Sequence, residues 1–397
     1  MKLFTSILFV IPTLIIAQQK QIPVAENLIV ENIPSLPQSY VSEVKNYTES
    51  RSASFIEWHP IKKEMLISTR FGNSAQLHQV AFPKAARQQL TFCDDPVSWA
   101  TYDPKGNYLL YLKDDGGNEF SHIYRYDLSN KKTTQLTSGE KIQNGGINWN
   151  HKENGIAYVS TKRNKKDRDI YLMDPLKAGS EKIVCENEGG GWSLSGWSPD
   201  DTKLLIDERK SISESRVYLL DVASGVKTRL LPAADEHTVF NSQVFHPNGK
   251  GFYLLTNKES EFLRLAFYDI ASRQLSFITT TIPWDVEQVK LNKEGTQMVF
   301  VTNENGLSKM YLLQTATNSF VALPNIPTGV ITGIEWRNKA NAIGLTLTTF
   351  NSSSDSFEYD IKTKKLISWT ESELGGMDVS KLKEPELITW KSFDGKM

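Results

Sequence analysis

The 397 residues are 39% apolar and 23% charged, with a formal net charge of −1. Such a balance sets up no global field, which argues against nucleic acid or an anionic membrane surface as a partner. The length exceeds what one compact core usually holds, so separate domains or a core spread over repeats is required.

The chain opens with a secretion-signal pattern over residues 1–17. Lys2 supplies the positive end, Leu3 to Ile16 the apolar run, and Ala17 the small residue before a cut. The run is shorter than the roughly 20 residues a membrane span needs, and no Cys follows it for lipid attachment. The mature protein is therefore expected to be exported, periplasmic or secreted, and free of the membrane after cleavage. Residues 18–50 read as an N-terminal extension.

From Trp58 onward one pattern recurs seven times. A short strand ends in a turn at Trp58-His59-Pro60, and turns follow at Tyr102-Asp103-Pro104, Trp149-Asn150-His151, Trp197-Ser198-Pro199, Phe245-His246-Pro247, Leu291-Asn292-Lys293 and Trp336-Arg337-Asn338, spaced 44 to 48 residues apart. A strand-built period of about 40–50 residues marks a propeller blade, which buries its faces only against neighbouring blades. A second anchor lies about 24 residues further on. There an apolar strand closes on Asp127, Asp174, Asp221, Asp269 or Asp360, with Ala81 and Gln314 in that place in repeats one and six. An Asp there can accept backbone N–H bonds from the turn that follows. Segments such as 203–207 and 132–137 then read as second and fourth strands. The expected fold is all-β, a seven-bladed β-propeller over residues 51–376 with four antiparallel strands per blade. The blades begin near Ser54, Val97, Gly145, Ser193, Asn241, Val286 and Thr332. Repeat seven owns its fourth strand at Leu366–Thr370, so no earlier segment is needed to close the ring.

Cys93 and Cys185 follow the fourth strands of blades one and three. Equivalent positions two blades apart lie beyond the roughly 7 Å Cα limit of a disulfide, so two free thiols are expected despite the oxidising setting.

Chemistry is sparse within the repeats. Gly191-Trp192-Ser193-Leu194-Ser195-Gly196 approaches a nucleophile elbow, but Ser195 stands where the second Gly is needed, and the segment reads as the first strand of blade four. His59, His151 and His246 sit in repeat turns, and His78, His122 and His237 show no ligand spacing. Asp114–Glu119 lacks the alternating oxygen ligands of a calcium loop and reads as a hairpin turn. Residues 162–168 read as the matching, solvated hairpin of blade three. No catalytic, cofactor-binding or metal-binding residue is assigned, and no cofactor is expected. Residues 377–397 read as a linker followed by a strand at Glu386–Lys391, with Asp394-Gly395 as a hairpin signal that calls for a second strand.

The first repeat, with Arg51–Phe55 before Trp58-His59-Pro60, resembles the N-terminal propeller of prolyl oligopeptidase-family serine peptidases, in the acylaminoacyl- and dipeptidyl-peptidase-like branch. Ser68–Gly72, Gln76–His78, Arg87–Phe92 and Asp114–Tyr124 carry the resemblance further. Trp390-Lys391-Ser392-Phe393-Asp394-Gly395 is similar to the first strand of that family's α/β-hydrolase domain. The resemblance implies a propeller that restricts access for short peptides, and a Ser-Asp-His triad on a hydrolase domain outside this chain. The chain by itself is then inactive. The dipeptidyl-peptidase branch holds its substrate's amino terminus with paired Glu residues; no adjacent Glu pair occurs here, which leaves that specificity open. Glu119 is an acidic candidate if its hairpin faces the hydrolase, with a surface turn as the simpler reading. The rival reading is a non-enzymatic periplasmic propeller that binds a protein partner, like the Tol-system type.

Overall fold

The computed structural model describes residues 20–97 and 99–396; the signal segment expected at 1–17 lies outside them. The chain divides into two units: residues up to 50 with 374–377, and residues 51–373 with 378–397.

The first unit holds a helix at Gln38–Thr48, preceded by Pro37 in an extended conformation, with no buried residue. Bridges at Gln21↔Pro37 and Ser50↔Leu374 complete it. The extension expected over 18–50 therefore contains a helix, on which Tyr40, Val41, Val44 and Tyr47 recur at helical spacing.

The second unit is the propeller. Seven antiparallel sheets each contain four strands in sequence order. Their first strands are Ala53–Trp58, Ala100–Tyr102, Asn144–Trp149, Trp192–Trp197, Phe240–Phe245, Val286–Leu291 and Val330–Trp336. These starts agree closely with the repeat pattern. The largest offset is in blade two, where Val97 is instead buried and donates its N–H to the Ala75 carbonyl. Four of the five blade-closing aspartates do what the pattern implies. Asp174, Asp221, Asp269 and Asp360 accept from the N–H groups of Leu176, Ser224, Ser272 and Thr363. Asp127 differs and takes the Arg125 guanidinium at 3.2 Å. In this position the Asp221 carboxyl is held down to about 2 by the Ser224 N–H and hydroxyl.

Second strands are covered on both faces; Met65–Thr69, Ile156–Ser160 and Gly251–Thr256 are buried throughout. That is why they read as continuous apolar runs rather than alternating ones. First strands alternate, and in six blades they carry a bulge or irregularity, as between Phe55 and Glu57 or Leu194 and Gly196. A bulge adds a residue and sharpens the twist. Gly146 and Gly333 lie in two of them at φ 62 and 61, a conformation that suits glycine. The apolar core is correspondingly divided into clusters that bridge adjacent blades.

Among the described residues none before 50 joins a sheet, so blades one and seven meet without a shared strand. Trp369 is fully buried against Ala53, Phe55, Trp58, Met65 and Ile67, and its ring meets Trp58 edge-on at 5.2 Å. Phe55 N–H donates to Thr346 Oγ1 at 2.8 Å and Ser356 Oγ donates to the Ala53 carbonyl at 2.8 Å. Below them Glu358, 1% exposed, accepts from Lys63 Nζ at 2.8 Å and Trp369 Nε1 at 3.1 Å. A buried charge is tolerated when it is paired and hydrogen-bonded in this way.

Both cysteines are free; Cys185 is buried and Cys93 partly so. Past the propeller, Val379–Lys381 form one 3-10 turn capped by Asp378. The expected strand at Glu386–Lys391 does not form, because its backbone has no neighbouring strand among the described residues. The Asp394-Gly395 signal is realised only as a turn, with Ser392 N–H donating to the Lys396 carbonyl at 2.7 Å. Trp390 and Phe393 lie exposed.

Candidate functional site

Neighbouring blades touch through their first strands, so those strands ring the axis and their polar side chains line it. Hydrogen bonds pass from one first strand to the next. Asn148 Nδ2 reaches the Leu194 carbonyl at 3.5 Å, and Gln288 Nε2 the Ile331 carbonyl at 2.9 Å. The Trp residues of two repeat turns act alike, with Trp197 Nε1 bonded to the Asn148 carbonyl and Trp336 Nε1 to that of Lys290.

Three ionisable groups meet near the turn end of this axis. Lys290 Nζ lies 2.6 Å from Glu335 Oε2, and their side chains keep 46% and 31% exposure. Both are thus reached by water from within the ring. The Lys290 ammonium is stabilised above its ordinary range, first by Glu335, against the opposing effect of burial. Glu57 faces the same pair. Its carboxyl accepts from Tyr102 N–H at 2.7 Å and Thr101 Oγ1 at 3.2 Å. Burial nevertheless raises it to about 8, with Glu335 adding to the rise and Lys290 opposing it. Burial thus favours the protonated form of Glu57 beside the Lys290–Glu335 ion pair.

A second polar cluster joins blades four and five. Asp207, 5% exposed, accepts from Ser242 N–H at 3.0 Å, Ser242 Oγ at 2.7 Å and Ser195 Oγ at 3.2 Å. Ser242 Oγ also lies 2.8 Å from Ser195 Oγ. Burial raises the Asp207 carboxyl to about 7, against these three bonds.

The residues weighed from sequence fall as follows. Ser193 and Ser195 lie on the first strand of blade four, and Ser195 is engaged with Asp207 rather than with a histidine. His59 Nδ1 accepts the N–H groups of Ile61 and Lys62, an internal turn bond. His151 is 2.8 Å from Asp201, and His237 is 3.3 Å from Glu214. His246 Nδ1 accepts from Asn248 N–H, while the buried His78 Nδ1 lies 2.9 Å from the Gln76 carbonyl. His122 Nδ1 lies 3.4 Å from Thr137 Oγ1. Asp114 accepts the Glu119 N–H at 2.8 Å, and Glu119 is exposed at φ 64, a hairpin-turn geometry. The blade-three hairpin needs correction, since it is not merely solvated. Arg163 crosses it to Asp169, which has no exposed side chain, at 2.8 Å, and donates to the Asn187 carbonyl. Glu57, Lys290 and Glu335 are each one charge in an alternating strand, where such a residue ordinarily faces water, and Asp207 follows the apolar run 204–206 of a second strand, so no local pattern marks any of them.

The family model for the prolyl oligopeptidase N-terminal beta-propeller domain matches residues 97–372. The chain belongs to the prolyl oligopeptidase family. The match begins at the second blade, so blade one lies outside the matched stretch. No curated protein matches the chain. Among solved structures it is similar to a prolyl endopeptidase described for inter-domain dynamics in catalysis and specificity, with TM-score 0.72 and 14% identity over 90% of this chain and 55% of that one. It is also similar to prolyl oligopeptidase B from Galerina marginata. The form bound to a 35mer hydrolysis and macrocyclization substrate gives TM-score 0.71 and 16% identity over 90% of this chain and 55% of that one. The apo protein gives 0.68 and 16% over 90% and 56%. At these identities the likeness speaks for the prolyl oligopeptidase propeller fold alone. The chain spans about half the length of the structures it matches.

Proposed function

We propose that this chain is the substrate-gating propeller of an exported serine peptidase acting on short peptides. Its nucleophile, base and orienting acid would be carried by an α/β-hydrolase domain outside these residues. Family membership over residues 97–372 is the observation that carries the reading, and the relatives named above are peptidases by description. A propeller suits the gating role because its rigid ring leaves only the axis and the blade seams as ways through. Here the axis carries the Lys290–Glu335 ion pair beside Glu57. The seam between blades one and seven is closed by side chains and a few hydrogen bonds rather than by a shared strand. Acyl transfer requires a nucleophile, a histidine within hydrogen-bond reach and oxyanion donors held together. Ser193 and Ser195 have no such surroundings, so the chain alone hydrolyses nothing under this reading.

The test compares the 397-residue chain with the full-length gene product, using a fluorophosphonate probe and chromogenic peptides with free and acylated amino termini. Labelling and turnover are expected in the longer polypeptide alone, with short peptides cleaved and folded proteins spared. Labelling of the 397-residue chain that vanishes in Ser193→Ala would place the nucleophile in blade four and reject the reading. Absence of labelling in both would favour a non-enzymatic propeller that binds a protein partner. Export is checked by N-terminal sequencing of the mature protein, expected to begin at Gln18; recovery of Met1 from the cytoplasm overturns it.

A further inference from the structure

A cavity of about 530 Å³ opens at the seam of blades four and five, bordered by Arg168 of blade three. In an antiparallel blade the start of the first strand, the second hairpin and the end of the fourth strand share one edge. The cavity is built from such edges: Trp192 begins a first strand, Arg209 ends a second, and Ile212 and Leu263 sit in the hairpins between second and third strands. The chain enters the propeller at the same edge of blade one and leaves it at that of blade seven, where Arg51 N–H donates to the Glu373 carbonyl at 2.8 Å. The cavity therefore opens on the face that carries both ends of the propeller.

The cavity wall carries two arginines with no acid set against them. Such matching is common in this molecule, as for Arg87 with Asp355 at 3.9 Å, Arg125 with Asp127 at 3.2 Å, Arg163 with Asp169 at 2.8 Å, Arg229 with Asp235 at 2.7 Å and Arg337 with Glu358 at 3.7 Å, though Arg264 turns instead to the Lys258 carbonyl. Arg168 and Arg209 both line the cavity, and neither has a carboxylate within 4.0 Å among the described residues. Their side chains make only long, neutral contacts. Arg168 Nη2 lies 3.4 Å from Gln143 Oε1, and Arg209 Nε lies 3.4 Å from the Ser211 carbonyl. The one acid in the wall, Asp207, is turned inward to Ser195 and Ser242, so it does not neutralise them. Beside the cations lies apolar surface, Leu263 and the 85% exposed Ile212.

Two unmatched guanidinium groups and an apolar rim in one hollow suit a small anion attached to an apolar group. A carboxylate fits the planar donor fork of arginine in two-point fashion. A nucleic acid would call for a longer cationic track, and the net charge of −1 offers none. We infer that this cavity is a carboxylate-recognition site for a short peptide, with Arg168 and Arg209 supplying the cations and Ile212 and Leu263 meeting the adjoining side chain. The carboxylate comes from the peptide's C-terminus or from an Asp or Glu side chain. The choice of a peptide as its bearer rests on the peptidase reading above; the anion site does not.

Calorimetric titration of the 397-residue chain distinguishes these cases with three probes: acetyl-Ala-Ala-Leu with a free carboxylate, the same peptide as its amide, and acetyl-Ala-Glu-Leu-amide. A charge-assisted pair is worth about tenfold or more in affinity. At least one carboxylate probe should exceed the uncharged amide by that factor, and which one does so identifies the source. The preference should fall in Arg168→Gln or Arg209→Gln while the unfolding midpoint stays that of the parent, since neither side chain is part of a buried pair. Equal binding of all three probes, binding of none, or a preference that survives both substitutions overturns the site. Turnover by the full-length product separates the two ideas. Hydrolysis with no carboxylate preference removes the site and keeps the peptidase. A carboxylate preference without hydrolysis does the reverse.

Discussion

Replacing Asp207 by Asn should make the protein progressively more stable, relative to the parent, as pH rises. Burial raises the Asp207 carboxyl from 3.8 to about 7, so in the folded state it keeps a proton that the unfolded chain has already lost. A group raised in this way contributes its full stability below the unfolded value and loses it as pH climbs through the folded one. At about 1.4 kcal/mol per pH unit, the total loss is about 4 kcal/mol, of which about 2.5 kcal/mol falls between pH 5 and pH 8. Asn cannot ionise, and the cluster can accommodate it. Its oxygen can accept from Ser242 N–H and Ser195, its amide can donate to Ser242 Oγ, and that hydroxyl can turn to Ser195 Oγ, already 2.8 Å away. Urea unfolding followed by tryptophan fluorescence at pH 5 and pH 8 measures the difference between variant and parent at each pH. A packing defect would add a constant offset and leave the slope intact. The variant should gain about 2.5 kcal/mol over the parent across that interval. A difference that stays flat, or shrinks with rising pH, refutes the reasoning.

At the seam of blades one and seven, Glu358→Ala removes the acceptor of the buried Trp369 Nε1 and the partner of Lys63. It should cost about 3 kcal/mol, and a loss under about 1 kcal/mol in chemical denaturation would mean the seam does not depend on this acid. Gly344→Ala would set a Cβ 2.3 Å from Phe55 Cζ and 2.7 Å from Trp58 Nε1, an overpacking expected to cost about 1–3 kcal/mol. An unchanged unfolding midpoint would show that the two rings shift freely. Alkylation of the native protein should label Cys93 ahead of the 5% exposed Cys185, with both labelled after unfolding. A cross-linked peptide in the non-reduced digest contradicts the separation of the two thiols.

The blade count and register were legible in the chain because they rest on local chemistry repeated at a fixed interval. Each turn such as Trp197-Ser198-Pro199 stops a strand, and Asp221 closes the third strand by accepting the next turn's N–H. Apolar runs such as 251–256 mark strands covered on both faces. Such signals need nothing beyond a few neighbouring residues. The helix at Gln38–Thr48 carries Tyr40, Val41, Val44 and Tyr47 at helical spacing, a single short period with no repeat to reinforce it and no residue buried. What only the tertiary structure decided lies between blades. Glu358 meets Lys63, Arg87 meets Asp355, and Phe55 meets Thr346 across about three hundred residues, and no local pattern pairs residues at that distance. The same holds for Glu57, Lys290 and Glu335, three ordinary strand charges until ring closure turned them to one axis. It holds too for Arg168 and Arg209, which became a pair only when a blade-three hairpin and a blade-four strand end came to border one cavity. Repeats set the shape of each blade through short-range hydrogen bonding and periodic burial. The environment of a charge depends on everything that surrounds it, and that is settled only when the ring closes.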